Sequence, residues 1–261
     1  METVANPNSR LLAPEDQARA DFYALLARLF ADPPDAELLA AIAHAPPIGD
    51  DAAAEMTDEA SRSLPAAWNA LRAASAATDP DAVAEEYNDL FVGVGKSAVN
   101  LHASHCLTGF MMEKPLVEVR ATLGRLGLAR RAGVALLEDH LGALCETMRI
   151  LVAGQGDRAP SMVSEQRAFF ERHIAPWVSA CCAAISDCPV ANYYLRVAQF
   201  TERYMALERD SFAYLEIPEF ADKIGFMKED VSTSGTDNAA ALTSCEGFDA
   251  SFRELASVNR L

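Results

Sequence analysis

The 261-residue sequence contains no CxxC pair, no uninterrupted apolar run of 18 residues and no stretch of four to eight residues with convincing strand alternation. The first absence removes the spacing that a structural zinc site requires. The six cysteines (Cys106, Cys145, Cys181, Cys182, Cys188, Cys245), four of them in apolar helical contexts, are therefore read as reduced thiols packing as small hydrophobes. The second excludes a membrane-spanning helix. The opening METVANPNSRLLAPEDQ also has no apolar stretch long enough for a secretory signal, so a cytoplasmic protein is expected. The third points to an all-α fold.

Positive charge is scarce. Lys and Arg number 22 against 38 Asp and Glu, a net charge of -16, which repels nucleic-acid phosphates and anionic membranes alike and favours a basic partner. The same acidity also serves solubility. Hydrophobic residues at 51% and charged residues at 23% are ordinary for a folded chain, and the length suffices for one large domain or two small ones.

What is present is a succession of helical patterns. PEDQARADFYALLARLFA (14–31) opens with proline and two acids, and Phe22, Leu25, Leu26, Leu29 and Phe30 form one apolar face. Leu38, Leu39 and Ile42 mark a short second helix before Pro46 and Pro47. Residues 50–77 read as helical and lightly packed on Leu64, Trp68 and Leu71, with Pro65 a point of division. Residues 80–92 place Val83, Tyr87, Leu90 and Phe91 on one face, and glycines end that helix. An irregular loop is expected from Gly93 to about Ser104. Short helices follow at 107–112 and 115–126, then one at 136–152, with Gly127 and Gly154 as terminators. The aromatic stripe Phe169, Phe170, His173 and Trp177 is read as core packing, interrupted at Pro176. The last strong helix covers 190–212. The segment after Phe220 is small and polar, and only Phe248, Phe252 and Leu255 hint at a terminal amphipathic helix.

Two stretches invite a catalytic reading. Gly93-Val94-Gly95-Lys96-Ser97 resembles the end of a phosphate-binding loop, but Leu90 stands where the earlier glycine belongs, a helix precedes it and no helix start follows. Glycines ending a helix explain it better. LEDHLGALCETM offers Glu138, Asp139 and His140 in one turn, yet Ala143 and Leu144 occupy the positions where a second ligand on that face would stand. Gly142 and Ala143 allow another backbone to approach closely, as in a binding crevice. A nucleotide hydrolase using Lys96 and Ser97, or a metal-dependent hydrolase using Asp139 and His140, is the rival class.

In order, FYALLARLFADPP, EEYNDLFVGVGK followed by HAS, LEDHLGALCETM, FFERHIAPW and YYLRVAQFTERY resemble the all-helical chaperones of the TorD/DmsD type, over roughly residues 15–215. Those chaperones mature redox enzymes of the molybdopterin class before export. The resemblance implies an all-α globule of about ten helices, in two lobes (about 14–92 and 105–220) joined by a hinge (about 93–104). A flexible start (1–13) precedes it and a polar tail (221–261) follows. It implies a non-catalytic chaperone with no resident cofactor and no metal. Its partner would be a molybdoenzyme catalytic subunit with a twin-arginine signal peptide, and it would neither bind nucleic acid nor insert in a membrane. A chaperone for a non-exported nitrate-reductase-type subunit is the close variant. By the same resemblance Asp139, His140, Tyr87, Phe91 and Ser104 would bind the signal peptide, and Gly93, Gly95 and Lys96 would form the hinge, in a monomer or a swapped dimer.

Overall fold

The computed structural model describes residues 12–48, 59–93 and 97–214. Gly95, Lys96, Cys245, the tail and all but the last two residues of the expected flexible start lie outside the described residues. Ten α-helices and one π turn make up the regular structure there, with two isolated bridges and no strand. The all-α expectation holds. No helix among the described residues is long and apolar enough to cross a membrane.

The helices are α1 (Pro14–Ala31), α2 (Ala36–His44), α3 (Glu59–Ala77), α4 (Pro80–Tyr87), α5 (Ala103–Thr108), α6 (Lys114–Arg125), α7 (Leu141–Ala153), α8 (Val163–His173), α9 (Val178–Ser186) and α10 (Tyr193–Tyr214), with the π turn Asn88–Val92 extending α4. Local chemistry fixes their ends. Pro14 and Pro80 sit in first turns where no amide is needed, and the Asp35 and Asp79 side chains accept from Leu38 N–H and Ala82 N–H as N-caps. Gly93, Gly109, Gly127 and Gly154 stop helices with φ of 63°, 81°, 67° and 75°.

α1 is the axis of the fold. Phe22, Tyr23, Leu25, Leu26, Leu29 and Phe30 are all buried, so the helix is enclosed on more than the one face its spacing suggests. It packs along α7, while α10 packs on α3 and α9, and α2 on α3. Phe22 meets Trp68 at 5.5 Å, Phe200 at 5.2 Å and Tyr204 at 5.4 Å between ring centroids. Both the α1–α7 and α3–α10 pairs join chain on either side of 93–104, and one hydrophobic cluster runs from Ala20 to Phe212.

Polar groups tie the same elements together. Arg19 donates in bidentate fashion to the buried Glu208 at 2.8 and 3.0 Å, and Tyr23 Oη–H donates to Glu208 Oε2 at 3.0 Å, linking α1 to α10. The Tyr194 hydroxyl donates to Leu29 O at 2.8 Å and the Tyr87 hydroxyl reaches Phe30 O and Ala31 O at 3.1 and 3.0 Å. Those bonds satisfy the last carbonyls of α1. Glu86 accepts the Asn192, Tyr193 and Tyr194 amides at 2.9, 3.0 and 2.7 Å, so a side chain of α4 caps α10.

Three boundaries differ from expectation. α3 runs unbroken through Pro65; the buried anchors Leu64, Trp68 and Leu71 supply packing that offsets the lost backbone bond. The helix expected at 107–112 lies earlier, at 103–108, because Gly109 takes a left-handed conformation and Met112 follows with φ 58°. The helix expected from 136 begins only at Leu141, because His140 caps it. Phe169, Phe170, His173 and Trp177 are buried as core, and Trp177 Nε1–H donates to His173 O at 2.8 Å.

Candidate functional site

Asp139 and His140 are not helical residues. They form a turn ahead of α7, held against residues 101–104 by a backbone strap. Leu141 N–H donates to Leu101 O at 2.8 Å, Ala103 N–H donates to Asp139 O at 2.9 Å, and His102 pairs with His140 as an antiparallel bridge. Asp139 Oδ2 accepts Ser104 N–H at 2.9 Å. The carboxylate therefore caps α5 from across the strap, a role that sequence spacing does not show because its partner is 35 residues away.

Both residues are interior, with Asp139 0% and His140 5% exposed. His140 Nδ1 accepts Gly142 N–H at 3.1 Å, so its ring is the N-cap of α7 and must be neutral at that nitrogen. Burial, with the His102 ring 4.8 Å away, pushes His140 down to about 3. His102 is also lowered, by burial first, with Asp139 acting in the opposite direction. Two buried atoms of the strap, Asp139 Oδ1 and Ser104 Oγ, have no hydrogen-bond partner. Buried polar groups left without a partner cost stability.

Of the other expected site residues, Ser104 belongs to this strap, whereas Tyr87 and Phe91 pack against the end of α1 and Tyr194 instead. Ser104 is buried at the start of α5. Tyr87 caps α1, and Phe91 packs at 5.1 Å from Tyr87 and 5.0 Å from Tyr194, on the π turn that ends at Gly93. Gly93 N–H donates to Asn88 O at 2.7 Å, and Val99 N–H donates to Leu90 O at 2.8 Å, so the connection is pinned at both ends of the segment that holds Gly95 and Lys96. The π turn is a feature that apolar spacing alone does not reveal.

Gly142 does allow a close backbone approach, but the neighbour is α1. A Cβ there would stand 3.0 Å from Ala27 O and 3.2 Å from Ala31 N. The space read as a crevice is filled by the α1–α7 crossing. Gly142→Ala is accordingly expected to lower stability by about 1 to 2 kcal/mol, as overpacking against two backbones outweighs the helix propensity gained; a thermal melt checks it.

Beside the strap lies a cavity of about 110 Å³ between the end of α6, residues 128–138 and α7. Leu123, Leu128, Val134, Leu136 and Ile150 give it apolar walls. Its wall also includes Glu138, which Arg120 and Arg130 hold at 3.0 and 3.4 Å. Burial works against the Glu138 charge, but the two guanidinium groups prevail and hold its carboxyl below the usual range. Leu107, Phe110, Met111, Met112 and Val117 are exposed on α5, on the following turn and on α6. Sequence reading missed both features, because neither a cavity nor an unfilled apolar surface has a local signature.

Among curated proteins none matches the chain at a significant level. The family model described as nitrate reductase delta subunit matches residues 57–183. That match agrees with the maturation-chaperone resemblance carried by the ordered helical motifs.

Proposed function

We propose that this chain, matched to the nitrate reductase delta subunit family across α3 to α9, is a maturation chaperone for a molybdopterin-containing oxidoreductase. It acts in the cytoplasm by binding, without catalysing a reaction. It holds the N-terminal segment of the catalytic subunit until cofactor insertion is complete. The observation that carries this reading is the family match, which spans the strap and the helices that build it.

The client is either exported through the twin-arginine route, with its signal peptide as the bound segment, or a nitrate-reductase-type subunit that stays in the cytoplasm. The family description supports the second as well as the first. A twin-arginine signal peptide offers two guanidinium groups followed by an apolar stretch. An acidic chain with an apolar cavity and exposed Leu107, Phe110 and Met112 next to the strap suits such a segment. A cavity of about 110 Å³ has room for one aliphatic side chain.

Asp139, His140 and Ser104 act in this reading through the strap. Parting of 101–104 from 139–141 would turn the unmet Asp139 carboxylate oxygen toward a client guanidinium. Tyr87, Phe91 and Gly93 anchor the near end of the 93–104 segment, with Gly95 and Lys96 inside it. A monomer and a dimer exchanging halves through that segment both keep the α1–α7 and α3–α10 packing.

Co-purification tests the proposal. The tagged chain is expected to retain a molybdoenzyme catalytic subunit from its own cells and to lose it when the N-terminal segment of that subunit is deleted. Retention of no such subunit contradicts the reading.

A further inference from the structure

The cavity beside the strap carries a charge opposite to that of the chain. Residues 119–137 hold four arginines (Arg120, Arg125, Arg130, Arg131) and no acid, in a protein of net charge -16. Arg130 and Arg131 line the cavity together with Glu138 and Glu146. Arg120 and Arg130 share Glu138 at 3.0 and 3.4 Å, and Arg149 holds Glu146 at 2.7 Å. Four guanidinium groups thus meet two carboxylates around apolar walls, which favours an occupant that is both acidic and apolar.

The chain carries such a segment directly after its last helix. Residues 215–222, outside the described residues, read LEIPEFAD, in which Glu216, Glu219 and Asp222 alternate with Leu215, Ile217 and Phe220 and no basic residue intervenes. The end of α10 is placed to deliver it. Phe212 packs on Phe170 of α8, with ring centroids 5.5 Å apart. α8 in turn joins both helices that wall the cavity, since His173 hydrogen-bonds Thr122 of α6 at 2.9 Å and Gln166 Nε2–H donates to Leu151 O of α7 at 3.5 Å. The neighbours of those two partners, Leu123 and Ile150, line the cavity. From α10 to the cavity is therefore two helix-to-helix steps of about 8–10 Å each. Phe220 stands six residues beyond Tyr214, and an extended chain of that length reaches about 20 Å.

We propose that residues 215–222 fold back onto this cavity as an intramolecular latch, with Phe220 on its apolar walls and Glu216, Glu219 and Asp222 beside the Arg130 and Arg131 guanidinium groups. Pro218 suits the extended backbone that this path requires, because it disfavours the helical conformation at Ile217. The short tether supplies an effective concentration on the order of millimolar, so a few rim contacts and one apolar anchor suffice to close the latch. A closed latch occupies the place given above to a client side chain and so competes with the client. That consequence rests on the maturation-chaperone reading, whereas the docking of the segment does not.

Photocrosslinking in the full chain tests the docking without any client. Phe220 is replaced by the photoreactive analogue p-benzoylphenylalanine, the protein is irradiated at low concentration, and the products are examined by intact mass and peptide mapping. A crosslink within one chain is expected, from position 220 to peptides carrying residues 128–136 or 143–150. The same protein with Glu216→Lys, Glu219→Lys and Asp222→Lys is expected to lose that crosslink, and 1 M salt to weaken it, as screening then acts within about 3 Å. Crosslinks confined to other surfaces, such as the exposed Leu107, Phe110 and Met112, crosslinks only between copies, no crosslink at all, or a yield unchanged by the three lysines would each overturn the proposal.

Discussion

Asp139→Ala is expected to lower the free energy of unfolding by about 3 kcal/mol, the upper end for losing a hydrogen bond to a charged group. The substitution removes the acceptor of the buried Ser104 amide and so leaves the start of α5 uncapped inside the protein. Its loss also loosens the segment that Ala103 N–H ties to the Asp139 carbonyl, since the strap is then held by backbone bonds alone. Asp139→Asn keeps an oxygen for the Ser104 amide and is expected to recover most of the stability. Urea unfolding followed by circular dichroism distinguishes these outcomes. An alanine variant as stable as the wild type would mean that the carboxylate does not hold the strap.

Acidification is expected to destabilise the protein through His140 before most carboxylates titrate. An exposed histidine in the unfolded chain takes up its proton near pH 6.5, whereas folded His140 does so only near 3. Between those values the unfolded state binds more protons, so the stability from this group is complete above about pH 6.5 and declines as the pH falls. From pH 7 to pH 5 the loss from His140 alone is about 2 kcal/mol. The titratable group facing it is the His102 ring, on which Asp139 acts in turn. Protonation would also remove the Nδ1 lone pair that caps α7. His140→Asn supplies a good capping oxygen without a proton to gain, and its unfolding free energy is expected to vary less over this range. Equal pH dependence in the two proteins would contradict the assignment.

The helical framework was legible because its signals are local. Pro14 and Pro80 with following acids, terminating glycines and runs such as Phe22–Phe30 place α1, α4, α6 and α10 within a few residues. The errors share a cause. His140 ends the 128–140 connection as a cap, yet its capping partner Gly142 sits inside what reads as one continuous helical pattern. Pro65 reads as a break, but the burial that overrides it belongs to helices far away in sequence. The candidate site was legible only as a pair of residue names. Sequence shows an acid beside a histidine. It does not show that a loop 35 residues earlier folds over both, takes the carboxylate as its own helix cap and leaves one oxygen unmet.

The binding claim, on which the proposed function rests, has a direct measurement. Fluorescently labelled N-terminal peptides of the molybdoenzyme catalytic subunits encoded in the same genome, with and without twin-arginine motifs, are titrated with the purified chain and followed by polarisation. Saturable binding of at least one, weakened about tenfold or more in an Asp139→Asn variant that stays folded, is the predicted result, since one charge-assisted contact is worth about that factor. Absence of saturable binding to every such peptide would contradict the account.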